Sequence, residues 1–163
     1  MRKAIYILVL IVFLVLQVIL PPSFLFFGKP DLLLILTVIT GLLWGTKAGA
    51  GLGLAAGLMQ DLFMGGIPGI YTLTKLINGV LAGLVEGNIF KERVLLPALL
   101  VFISTFIHEI LVIILSENLI FNVNILLASR DLILPLALVN GLVGIIIYYL
   151  FIKLDRPEGS YYG

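Results

Sequence analysis

What most constrains this chain is the length of its apolar runs. The stretch from Ala4 to Leu20 is broken only by Gln17. It comes close to the roughly 20 residues that a helix needs to cross a bilayer. Comparable runs open near Asp31, Ala48, Tyr71, Val94 and Leu132, separated by clusters of glycine, proline or charge. In hydrocarbon every backbone N–H and C=O must find its partner within the protein, so such runs fold as helices. Composition agrees: 61% of the 163 residues are hydrophobic and 12% are charged, against about 25% charged in a soluble domain. That excludes an ordinary cytosolic domain and a disordered chain. A net charge of +1 offers no positive field for nucleic acid. The chain has no cysteine, which excludes disulfides, iron–sulfur clusters and thiol nucleophiles.

The punctuation between runs predicts six spans. The first run is followed by Pro21-Pro22-Ser23 rather than a small-residue cleavage site, so it reads as a retained helix and not a signal peptide. Pro30 suits a first helical turn, and Asp31 sits where the helix dipole favours negative charge. A second helix from there to Trp44 is short, and must tilt, thin the bilayer or be buried among its neighbours. Gly45-Thr46-Lys47 forms a tight turn, and a third helix runs from Ala48 to Met64. Gly65-Gly66-Ile67-Pro68-Gly69 cannot continue a helix. The fourth helix spans Tyr71 to Ile89, with a charged hairpin at Lys91-Glu92-Arg93. The fifth spans Val94 to Leu115. The connection Ser116–Asp131 contains Leu119, Ile120 and Phe121 and is expected to lie in the interface or re-enter the membrane. The sixth helix spans Leu132 to Leu154. The expected fold is all-α: one six-helix transmembrane domain over residues 1–154, with a polar tail over 155–163. With the N-terminus inside, Arg2, Lys3, Lys47, Lys91, Arg93, Lys153 and Arg156 lie on the cytoplasmic side. Only Lys29, Lys75 and Arg130 lie towards the outside. Basic residues favour the cytoplasmic face, so both termini are expected there.

Two features stand out as candidates for function. Glycines recur at every fourth position, giving Gly49, Gly53 and Gly57 on the third helix and Gly79, Gly83 and Gly87 on the fourth. Small residues at this spacing let helix backbones approach closely. The stripes either pack these two helices together or receive a helix from another protein. The second feature is the set of polar groups inside the spans, which are costly there and face the interior, a cavity or a partner. Gln60 and Asp61 end the third helix and Lys75 begins the fourth. Asp61 and Lys75 are expected to form an ion pair across the glycine loop that includes Gly69, or to line a pocket or partner surface with Gln60. His108, Glu109 and Asn140 lie in the fifth and sixth helices. Adjacent residues on a helix point about 100° apart, so His108 and Glu109 suit a buried hydrogen-bonding pair better than a metal site, which needs more converging ligands. No phosphate-binding loop, HExxH motif or Ser-His-Asp arrangement is present. The inventory therefore points away from an enzyme, and no cofactor is expected.

The central segment carries a resemblance. The helix start Lys29-Pro30-Asp31-Leu32 leads to the glycine helix Gly49–Gly57 and then to Gly57-Leu58-Met59-Gln60-Asp61-Leu62. The glycine–proline loop follows, and then a helix with Lys75, Gly79, Ala82 and Gly83. In these features the sequence resembles the rod shape-determining MreD family of bacteria. The resemblance is strongest over residues 29–90. It implies a non-enzymatic component of the cell-elongation machinery in the cytoplasmic membrane. The expected partners are an MreC-like protein directly, and MreB, RodA and its transpeptidase partner indirectly. It also implies a fold similar to the substrate-binding S-components of energy-coupling-factor transporters. A vitamin-type binding subunit is therefore the alternative function. The bulky first helix, Ala4 to Leu8 onwards, lacks the Ala-xxx-Ala docking motif of those subunits. Gln60, Asp61, Lys75, Gly53, Gly57 and Gly69 are the residues expected at a partner site or pocket, and Gly49, Gly79 and Gly83 in helix packing.

Overall fold

The computed structural model describes residues 2–21, 29–64, 67–86, 95–117 and 129–155, and all regular structure among them is helical. The helices are α1 (Arg2–Ile19), α2 (Leu32–Met64), α3 (Ile70–Leu84), α4 (Leu95–Glu117) and α5 (Leu134–Asp155). A π-helical turn, Ser129–Ile133, leads into α5. Three helical stretches are long and apolar enough to cross a membrane: Leu32–Met64, Leu95–Ser116 and Asp131–Lys153. Leu8–Ile19 and Ile70–Leu84 are shorter apolar helices. The charged hairpin at Lys91–Arg93, most of the Ser116–Asp131 connection and the tail beyond Asp155 lie outside the described residues, as does Gly87.

Helix α2 is folded in half. At Gly45 the backbone has φ 82° and ψ −178°, a conformation essentially restricted to glycine. The chain reverses there. A Cβ built on Gly49 would lie 2.8 Å from the Cα of Gly41, and one on Gly53 would lie 3.0 Å from Cγ2 of Thr37. The arms 32–44 and 46–64 therefore run antiparallel in close contact, as the turn expected at residues 45–47 requires. The carboxylate of Glu86 fills the space that a side chain on Gly45 would take.

The first arm is the centre of the bundle. Leu32 to Leu42 are all buried, which explains how so short a helix is accommodated: its neighbours cover it on every side. Leu33, Leu34, Ile35, Val38 and Ile39 pack with Leu14 of α1, Val101 of α4 and Tyr148 of α5. A helix apolar all round belongs in such a position. The outer helices show the complementary pattern. In the most apolar window of α4 only 22% of residues are buried, against 72% in α2.

The glycine rows join the second arm of α2 to α3. A Cβ on Gly53 would come within 3.0 Å of the Lys75 carbonyl, and one on Gly57 would meet the backbone of Tyr71 and Thr72. Gly79 meets Gly49, and Gly83 meets Thr46, in the same way. Close backbone approach of this kind is the main source of helix association in lipid, where apolar burial adds little. Gly53 and Gly57 thus face the chain's own α3, where an added Cβ strikes backbone, as in the internal-packing reading of the stripes. On α5, a Cβ on Gly141 would lie 3.3 Å from the Ala98 carbonyl of α4, and one on Gly144 would lie 3.1 Å from the Val101 side chain.

Two substitutions separate these roles. Gly45→Ala forces a side chain into a glycine-only conformation and against Glu86, and should cost about 1–3 kcal/mol. Gly51→Ala, where an added Cβ meets nothing within 4 Å, should stabilise the helix by about 0.5–1 kcal/mol. Thermal unfolding of the detergent-solubilised protein should show a lowered midpoint for the first and an unchanged or raised one for the second.

Candidate functional site

The start of α2 gathers polar groups from all the other helices. Asp31 precedes the first turn, and its Oδ1 accepts a hydrogen bond from the Leu34 amide at 2.9 Å. Orphan amides at a helix start need such acceptors. Its own amide donates to Asn140 Oδ1 of α5 at 3.0 Å. The next amide, Leu32, donates to Gln17 Oε1 of α1 at 3.0 Å. Lys29 Nζ donates to the Gln17 carbonyl at 2.6 Å, placing a cation at the C-terminal end of α1, where the dipole favours it.

The second oxygen of Asp31 carries the charge contacts. Lys75 Nζ of α3 lies 2.5 Å from Oδ2, and His108 Nε2 of α4 lies 3.6 Å from the same oxygen. Lys75 is wholly buried and His108 is 1% exposed. Tyr71 stacks on His108 with centroids 6.0 Å apart, and Lys75 Nζ stands 5.8 Å from the Tyr71 ring centre. Asn140 Nδ2 donates to Thr105 Oγ1 at 3.1 Å, and that hydroxyl donates to the Val101 carbonyl. One carboxylate and the amides beside it therefore tie α1, α3, α4 and α5 to the buried arm of α2. A charge isolated in hydrocarbon is expensive, and pairing with satisfied hydrogen bonds makes it tolerable.

The ion pair differs from the one expected. Asp61 does not face Lys75. Its Oδ1 accepts from the Tyr71 amide at 3.2 Å, and its Oδ2 from the Thr72 amide at 3.0 Å and the Thr72 hydroxyl at 2.5 Å. Asp61 caps α3 from a distance, which answers the lack of a side-chain cap on Gly69 (φ 94°). Lys75, one turn further into the bundle, is left to Asp31.

The other expected residues fall into separate places. Gln60 is buried, and its Oε1 has no partner among the described residues. Gly69 is exposed and, with Leu58, Asp61, Pro68 and Thr72, lines an open cleft of about 440 Å³ at the tip of the α2–α3 hairpin. Glu109 is half-buried beside His108, whose Nδ1 has no partner among the described residues. Of the residues singled out from the sequence, the structure unites Lys75, His108 and Asn140 and sets Asp61 and Gly69 apart from them. Asp31 and Gln17 are the members that sequence reading underrated. Asp31 is legible as a helix start, but its role as counter-ion depends on a contact across 44 positions of sequence.

These two side chains, Asp61 and Asn140, should respond differently to substitution. Asp61→Ala removes a helix cap and should cost about 1 kcal/mol. Asn140→Leu strands the Asp31 amide in the core and should cost about 1–3 kcal/mol. Unfolding by increasing detergent denaturant should rank Asn140→Leu below Asp61→Ala, and both below the unaltered chain.

Comparison with known proteins gives one match. The family model described as rod shape-determining protein MreD covers residues 1–157. No curated protein and no solved structure matches the chain.

Proposed function

Because the chain belongs to the MreD family of rod shape-determining membrane proteins, we propose that it is a non-enzymatic part of the bacterial cell-elongation machinery that holds the membrane-anchoring helix of an MreC-like partner. Through that partner it would act alongside MreB, RodA and the transpeptidase that works with RodA, in support of peptidoglycan synthesis. It forms one domain of six spans over residues 1–154 in the cytoplasmic membrane, with both termini in the cytoplasm. The buried pairing of Lys75 strengthens this orientation. Lys75 no longer counts as an outer loop charge, leaving Lys29 and Arg130 against seven basic residues on the other side.

The observation that carries the docking proposal is the cleft at the hairpin tip. Asp61 and Gly69, two of the residues singled out for a partner site, both line it, with exposed Leu62 and Leu73 as apolar walls. A polar group beside apolar walls and an uncovered glycine suits the end of a partner helix. Lys75, Gly53 and Gly57 support the cleft from inside by fixing α3 against α2. The alternative, a vitamin-type subunit in a fold like that of the energy-coupling-factor S-components, expects a cavity lined by Gln60, Asp61, Lys75 or His108; Asp61 lines the tip cleft, whereas Lys75 and His108 do not. Both face Asp31.

Leu58 lines the cleft and is 48% exposed, so Leu58→Trp fills the cleft without disturbing the core. Co-purification from native membranes should recover at least about tenfold less MreC-like protein with this variant than with the unaltered chain at equal expression, as for an interface hot spot. Full recovery would refute the docking assignment.

A further inference from the structure

We propose that the cleft between α1 and the two arms of α2 binds one acyl chain of an anionic phospholipid, with the lipid phosphate held by Lys47. The cleft measures about 450 Å³ and lies at the end of the bundle where Gly45 reverses the chain, away from the hairpin tip. Leu10 of α1 and Leu36 of the first α2 arm form its apolar walls, and Ala48, Gly51 and Ala55 of the second arm form its floor. Gly51 is exposed, with no atom within 4 Å of the position a Cβ would take.

Three observations select a lipid chain over a protein helix. The first is length. Along the first arm the cleft runs from Trp44 to Leu36, which at 1.5 Å per residue is about 12 Å. That is less than half of the roughly 30 Å hydrocarbon core, so it fits a chain from one leaflet and not a spanning helix. The second is polarity. Thr40 lines the cleft at 7% exposure, and among the described residues nothing hydrogen-bonds its hydroxyl. An ester carbonyl of a lipid would accept one there, just below headgroup level. The third is charge. Lys47 is exposed in the turn between Trp44 and Ala48, both of which line the cleft. Basic residues at the membrane surface beside an opening between helices select anionic headgroups. Trp44, at the same level, suits the interfacial zone where tryptophan collects.

Trp44 is the single tryptophan of the chain, which makes it a reporter. The full-length protein is reconstituted in phosphatidylcholine vesicles that carry equal shares of either bromine-labelled phosphatidylglycerol or bromine-labelled phosphatidylcholine. Trp44 emission should be quenched more strongly by the phosphatidylglycerol. Lys47→Ala should reduce that preference about fivefold, the effect of one basic residue near an anionic surface. Gly51→Leu should abolish the excess quenching with an unchanged melting temperature, because Gly51 lines the cleft and is exposed, with nothing within 4 Å of the position of a Cβ. Equal quenching by the two lipids, or a preference that survives both substitutions, overturns the proposal. None of these readouts depends on an MreC-like partner, so they stand or fall separately from the docking cleft.

Discussion

The fold depends on a carboxylate placed where hydrocarbon would forbid it. Asp31 sits at the start of a helix buried on all sides, and its charge is matched by Lys75, itself fully buried on α3. Neither group is tolerable alone at that depth. Together, with Asn140, Gln17, His108 and Thr105 arranged around them, they form a polar knot reached by α1, α2, α3, α4 and α5. Such a knot gives the bundle directionality that apolar contacts in lipid lack, since lipid tails compete equally for apolar surface.

The glycine rows work with this knot. By bringing the second arm of α2 against the backbone of α3, Gly53 and Gly57 set the depth at which Lys75 enters the bundle. Gly45 then returns the chain so that the first arm, and Asp31 with it, lies on the other side of that hairpin. Ion pair, reversal and glycine contact are thus parts of one geometry. Two surfaces left outside it among the described residues are the cleft at the hairpin tip and the cleft beside Trp44. They lie at opposite ends and suit different occupants.

Much of this architecture is legible in the sequence because its causes are local. Apolar run length, Pro30 and the Gly65–Gly69 breaker mark the helix limits, and Gly45 marks the reversal. Small-residue spacing announces close packing between the third and fourth expected helices, though not whether the partner is internal. What sequence reading missed is long-range. Asp61 is nearer Lys75 in sequence and at a similar depth, so it is the natural first choice as counter-ion. The α3 amides claim it instead, because an uncapped helix start cannot be left unsatisfied in a membrane. Asp31 is then the carboxylate left for Lys75. Gln17 looked like a flaw in an apolar run, and it is the acceptor for the Leu32 amide.

The most direct measurement is a double-mutant cycle on Asp31 and Lys75, read by reversible unfolding in detergent with Asp31→Asn, Lys75→Met and the pair combined. Each single change leaves a buried group without its partner and should cost about 3–5 kcal/mol. The combined variant should lose clearly less than the sum of the two. Additive losses, or single variants as stable as the unaltered chain, would contradict the claim that this ion pair organises the fold.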